Sequence, residues 1–214
     1  MMINLWPVEG VHFVAVDEDV IILDVEADQY SCLLQATSWM TLTEGGAIIV
    51  ADEQSSSELR GAGLATSERP AQVRLRPTEP RRERTPATGG HPLKILKASL
   101  DLLAATLAFR GKHFSDLIQP VGAVPWRTNS SQEHILTTVL RSYRSALPWI
   151  PFEGECLQRA FQLRRILMRE GIATDWVFGV RTWPFGAHCW LQIGDEIIGD
   201  SLARVSQYSP IMVV

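Results

Sequence analysis

The sequence predicts an α+β protein of two domains, and three observations lead there. Runs rich in β-formers gather in two clusters, residues 11–34 and 173–198, with several runs of helical spacing between them. A segment rich in proline and arginine, residues 67–92, carries five prolines and two adjacent glycines with no helical or alternating period, and reads as an extended tether. Charge breaks at the same place: residues 1–66 hold eleven acids against one base, whereas residues 93–214 hold thirteen bases against ten acids. The expected division is therefore 1–66, a linker 67–92, and 93–214.

In the front segment, Val11–Val16 and Val20–Val25 flank the acidic turn Asp17-Glu18-Asp19, and Asp28–Leu34 follows Glu26-Ala27, which gives a three-stranded meander. Gln35–Thr43 has helical spacing through Ala36, Trp39, Met40 and Leu42, and Ala47–Val50 is a short apolar run. Serines from Ser55 offer an N-cap for a helix over Glu58–Leu64, with Gly63 near its end. Three strands followed by two or three helices describe a small winged-helix-like unit. Its net charge of −10 opposes phosphate backbones, so nucleic acid is not the expected partner and a basic one is favoured. The Arg81-Arg82-Glu83-Arg84 cluster of the tether reads as solvated charge.

Two amphipathic helices open the back segment: Pro92–Arg110, with Leu93, Leu96, Leu100, Leu103, Ala104 and Leu107 as its apolar positions, and Ser131–Leu147, with Ile135, Leu136, Val139, Leu140 and Tyr143. A third helix spans Glu155–Glu170, because Pro148, Pro151 and Gly154 keep the preceding chain out of helix and Gly171 stops it. Cys156 then falls in the first turn, where unpaired N–H groups and the positive dipole end stabilise a thiolate and can form part of an oxyanion hole. Strands follow at Ala173–Val180, Ala187–Ile193 and Glu196–Ile198, the last two joined by the tight turn Gly194-Asp195. His188 lies on one strand and Asp200 at the end of the next, so the carboxylate can orient the imidazole while the other ring nitrogen faces the thiol. A zinc site of Cys156, His188, Cys189 and Asp200 has the right residue types, but neighbours on a strand point to opposite faces. No metal or cofactor is expected; phosphate-binding glycine motifs are absent from the sequence. Cys32 and Cys189 read as structural thiols. Trp126, Trp149, Trp176, Trp183 and Trp190 read as core or cleft wall, and Trp183-Pro184-Phe185-Gly186 also as a substrate-side loop.

The order of elements in the front segment, with Tyr30, Leu33 and Met40 spaced as a core after the third strand, resembles the leader-recognition domain of ribosomal peptide natural-product pathways, the pyrroloquinoline-quinone-D-like fold. That resemblance implies that a leader peptide adds a strand beside the third strand, with Tyr30, Cys32 and Leu34 on one face and Leu59 and Ala62 lining the helix side. The Cys, His, Asp order of the back segment resembles papain-like and transglutaminase-like cysteine hydrolases. Cys156-Leu-Gln-Arg-Ala, Leu167-Met-Arg-Glu-Gly-Ile-Ala, Phe178-Gly-Val-Arg, Ala187-His188-Cys-Trp190-Leu and Gly199-Asp200 look like the leader peptidase of lasso-peptide biosynthesis. This implies a catalytic triad of Cys156 as nucleophile, His188 as base and Asp200 as orienting acid. The implied reaction is hydrolysis of the leader–core bond, and the implied partners are the precursor and a macrolactam synthetase that uses any ATP. Cys189 stands where a small residue is more usual and Ala160 where the family has Ser. An acyl transferase using the same triad and a non-catalytic peptide-binding chaperone remain as alternatives. No basic, apolar and cleavage-site sequence opens the chain, and Leu93–Phe109 is interrupted by Lys94, Lys97 and Asp101, so a bacterial cytoplasmic location away from membranes is expected.

Overall fold

A computed structural model describes residues 2–71, 77–85, 87–119, 130–149 and 155–214. Trp126, Pro151 and Gly154 lie outside the described residues. By compactness the chain divides into one unit of Met1–Arg76 with Val180–Gly186 and Ser209–Met212, and a second of Pro77–Gly179, Ala187–Tyr208 and Val213–Val214.

The first unit runs β1 (Ile3–Pro7), β2 (Val11–Val16), β3 (Asp19–Asp24), β4 (Gln29–Leu33), β5 (Met40–Leu42), β6 (Ile48–Val50), α1 (Glu53–Gly61) and β7 (Ala65–Thr66). The expected meander is β2-β3-β4, with Val16↔Asp19 closing a two-residue turn at Asp17, which takes a left-handed φ of 54°. β3 is the centre strand, and its Val20–Leu23 run is buried on both faces, so it is continuously apolar rather than alternating. A second sheet, ordered β5-β6-β1-β7, carries α1. Leu5, Val20, Met40, Ile48, Val50 and Leu59 form the core.

Two expectations for this unit change. Gln35–Thr43 is a 3-10 turn, Ala36–Ser38, followed by β5 rather than a helix. Ala36 and Met40 are both buried as a helix would have them, but Met40–Leu42 pairs with Ile48–Val50, and a strand partner satisfies backbone groups that an isolated nine-residue helix does not. α1 begins earlier than its serines suggest, because Asp52 is the N-cap: its Oδ1 accepts from Ser55 N–H at 2.8 Å. The unit thus carries one α-helix among the described residues where two or three were expected.

The remaining elements are β8 (Arg82–Arg84), α2 (Pro92–Phe109), α3 (Phe114–Leu117), α4 (Ser130–Ala146), α5 (Cys156–Arg169), β9 (Asp175–Arg181), β10 (Gly186–Ile193), β11 (Glu196–Ile198), α6 (Leu202–Val205) and β12 (Ser209–Val213), of which the second unit holds all but Val180–Gly186 and Ser209–Met212. The sheet order is β12-β9-β10-β11-β8, and α2 packs on α4 and α5. Leu102, Leu136, Leu140, Leu163 and Leu167 are buried among these helices.

Here too the structure corrects the sequence reading. The arginine cluster is not free solvated charge: β8 pairs in parallel with β11, Arg84 bonds Glu196 at 2.9 Å and also Glu133, and Arg82 bonds Asp195 at 2.5 Å. The strand survives its charge because each arginine meets an acid of the neighbouring elements. The buried face of α2 is Ala98, Leu102, Ala105 and Thr106, while Leu93, Leu96, Leu100, Leu103 and Leu107 are 40–70% exposed. The two alanines let the helix backbone approach its neighbours closely. Thr106 donates to the Leu102 carbonyl and accepts from Gln162 at 2.8 Å, which fixes the inward face with paired polar groups.

Candidate active site

Cys156 is the first residue of α5, after Glu155 in an extended N-cap conformation (φ −64°, ψ 176°) whose side chain makes no capping bond. The positive end of the helix is therefore presented to the sulfur rather than to a capping carboxylate. Gly171, at φ 75°, ends the helix as expected.

The β10–β11 hairpin sets the rest. Its two-residue turn makes Ile193↔Glu196 the first pair, and the period of two sends the N–H groups of Leu191 and Cys189 to the same edge as that of Ile193. β11 ends at Ile198, opposite Leu191, so the Cys189 N–H is the first beyond the ladder, and it donates to Cys156. Gly199 then turns the chain at φ +79°, where a Cβ would lie 3.0 Å from Leu163 Cδ2, and delivers Asp200 to His188. His188 Nε2 and Asp200 Oδ2 are 2.6 Å apart, and Asp200 Oδ1 accepts from Ser201 N–H at 2.8 Å. With Nε2 so engaged, Nδ1 is the ring nitrogen left for Cys156.

The electrostatics make Cys156 and His188 an ion pair. Hydrogen bonds from the Cys189 thiol, from His188 and from the Cys189 backbone lower the Cys156 thiol to about 4 against the opposing effect of burial. Burial disfavours charge on His188, but Asp200 and the Cys156 thiolate outweigh it and raise the imidazole to about 9. Burial likewise opposes ionisation of Asp200, yet the bonds from His188 and the Ser201 N–H hold its carboxyl below the usual range. Cys189 is pushed up because it donates to the Cys156 thiolate and is buried. Cys189, read from the sequence as structural, is buried and bears on the same sulfur as His188.

His188 is 4% exposed and packed between rings: Trp190 stacks at 6.2 Å and Tyr208 lies at 5.2 Å, centroid to centroid. Gly179 makes room for both, since a Cβ there would meet Trp190 Cζ3 at 2.8 Å and Tyr208 Cβ at 3.0 Å. Tyr208 and Gly179 went unread in the sequence; the Phe-Gly-Val spacing in a strand was the one signal, because glycine inside a strand marks close approach. Trp176 is fully buried and Trp190 2% exposed, in line with core or cleft wall, whereas Trp149 and Trp183 are 77% and 75% exposed.

The leader-binding candidates separate. β4 is an edge strand of its sheet, with Tyr30 half-buried and Cys32 exposed on one face and Leu34 just beyond, 61% exposed. Leu33, on the other face, packs against the core that contains Leu59. Leu59 is buried there, and α1 lies on β1, β6 and β7 with Ala62 exposed at its end, so these two are not brought to Tyr30 and Cys32. Within the first unit it is Phe185 that meets Tyr30, at 5.7 Å between centroids, and Trp183 Nε1 donates to Asp19 at 2.9 Å. Among the described residues no group of three His, Cys, Asp or Glu is placed to hold a metal ion.

Comparison with known proteins locates this geometry in a family. Residues 99–213 match the model of the transglutaminase-like superfamily. Over 71 residues the chain is 31% identical to the microcin J25-processing protein McjB of Escherichia coli, a match covering 33% of this chain and 34% of that relative. No solved structure matches. From residue 99 onward, through Cys156, His188 and Asp200, the chain belongs to the transglutaminase-like superfamily.

Proposed function

We propose that the protein is a cysteine endopeptidase that binds the leader of a lasso-peptide precursor and hydrolyses the leader–core bond, so that a partner synthetase can close the macrolactam. The observation that carries the reading is the His188–Asp200 bond at 2.6 Å, with Cys156 at a helix start. Likeness to the McjB processing protein supports the substrate class. Cys156 Sγ attacks the scissile carbonyl carbon, and the tetrahedral oxyanion draws on the N–H groups of the first turn of α5. His188 gives its proton to the leaving amine as the thioester forms. Water, deprotonated by His188, then attacks the thioester, releasing the acid and restoring the Cys156 thiolate beside protonated His188, with Asp200 holding the ring throughout.

In this reading residues 1–66 capture the leader, residues 93–214 carry the chemistry, and residues 67–92 connect them, with β8 serving the second unit's sheet. The open edge of β4 supports capture by strand addition beside Tyr30, Cys32 and Leu34, and the −10 charge of residues 1–66 favours a basic leader. The location proposed is the bacterial cytoplasm, where precursor and synthetase are made. Among the described residues no helix is long and apolar enough to cross a membrane.

Mass spectrometry of the protein with the precursor peptide from its own gene neighbourhood tests the reading. One new cut at the leader–core junction that vanishes in Cys156→Ala, with leader binding kept in that variant, is expected. Incorporation of a labelled amine in place of water would instead assign an acyl transferase.

A further inference from the structure

The exposed stripe of α2 has a period that a single chain leaves unused. Leu93, Leu96, Leu100, Leu103 and Leu107 follow one another at steps of three, four, three and four, the spacing of alternating a and d positions in a coiled coil. They are 69, 57, 60, 40 and 70% exposed, while the opposite side of the same helix is buried in its own domain. An ordinary surface helix is apolar on one face only, so the second face needs a separate cause. We propose that this stripe pairs with the same stripe of a second copy of the chain.

Three features favour a second copy as occupant. The seam is leucine at every a and d position over about 21 Å, so it carries its own complement: the knobs of one helix meet holes of equal spacing on its twin. Its flanks do not repel. Lys97, Ser99 and Ala104 border it, and Lys97 is already paired within its own chain, to Glu170 at 2.6 Å and Asp101 at 3.4 Å. The area also suffices. At roughly 100 Å² of apolar surface per leucine, the five remove about 500 Å² per chain and about 1,000 Å² per pair, the lower bound for a specific interface. A stripe of that size placed by chance would be a solubility liability.

The inference does not rest on the peptidase reading, because its readout is mass. Sedimentation velocity of the full chain over a wide concentration range should show a species of twice 23.9 kDa. Leu100→Glu with Leu103→Glu should give the monomer at all concentrations, with the circular-dichroism spectrum of the folded chain, since neither residue belongs to the buried face of α2. Leu96→Gln with Leu107→Gln repeats the test without adding charge and should weaken association at least tenfold. A wild type that sediments as a monomer throughout overturns the proposal, as does a dimer that persists in both folded variants. A monomer that gains mass only when the partner synthetase is added also overturns it, and assigns the stripe to a helix of that partner.

Discussion

Removing the Cys189 side chain isolates one contribution to the nucleophile. In Cys189→Ala the Cys156 thiolate loses the S–H donor, the largest of the influences that lower it, but keeps the Cys189 backbone N–H and His188. A hydrogen bond to a charged group contributes about 1.5–3 kcal/mol, and a thiol is a weak donor, so the lower end applies. At about 1.4 kcal/mol per tenfold, the midpoint for forming the thiolate should rise by about one pH unit from its value near 4. The direction is upward because the lost bond stabilised the charged form alone. The assay is the pH dependence of iodoacetamide alkylation, read by mass spectrometry on the peptide containing Cys156. Competition is small: the Cys32 thiol is raised by partial burial and by Asp19, and Cys189 is raised by its bond to Cys156 and by burial. Cys189→Ser keeps a hydroxyl donor and should return most of the shift. Both variants exchange little volume, so melting should fall by no more than about 1 kcal/mol. An unchanged midpoint in a folded Cys189→Ala would refute the argument.

Further predictions concern the pair, its orienting acid and its packing. The kcat/KM of peptide hydrolysis should rise through about pH 4, as the thiolate forms, and fall through about pH 9, as His188 loses the proton it must give to the leaving amine; a profile that first rises near the ordinary thiol value would contradict the ion pair. Asp200→Asn removes the carboxylate that raises His188, so kcat should drop by about 10²-fold or more and the alkaline limb should move to lower pH. A packing defect without the electrostatic role would leave that limb in place. Gly179→Ala pushes a methyl into Trp190 and Tyr208 and should cost about 1–3 kcal/mol, visible as a lower urea midpoint, with activity reduced through His188; an unchanged midpoint would show that the rings move aside freely.

The site was legible because its signals are local and rigid. Gly171 stops α5 and places Cys156 at its other end, and the Gly194-Asp195 turn fixes the register that carries His188 and the approach to Asp200. What could not be read depends on partners far along the chain. α2 has two apolar sides, and periodicity ranks the leucines above Ala98 and Ala105, although small side chains are what close helix packing selects. Gln35–Thr43 has helical spacing, but β6 claims its second half as a strand. β8 hides inside an arginine run because composition reports charge and not the acids opposite it. Leu59 fits a groove lining by sequence, yet the second sheet that buries it begins at Ile3–Pro7, a strand with no alternating pattern to announce it.

The pairing of β8 with β11 bears on where this chain can be divided. Besides the arginine contacts, Glu83 accepts from Leu202 N–H at 2.6 Å and Gly199 N–H donates to the Arg84 carbonyl at 3.3 Å, so residues 83 and 84 hold both sides of Asp200. A fragment started at Pro92 would keep Cys156, His188 and Asp200 and lose the strand that grips the residues flanking Asp200. One started at Pro77 would keep the grip. Domain swaps between related chains inherit the same rule: the junction belongs upstream of residue 77, and a graft made closer to α2 exchanges a fixed carboxylate for a wandering one.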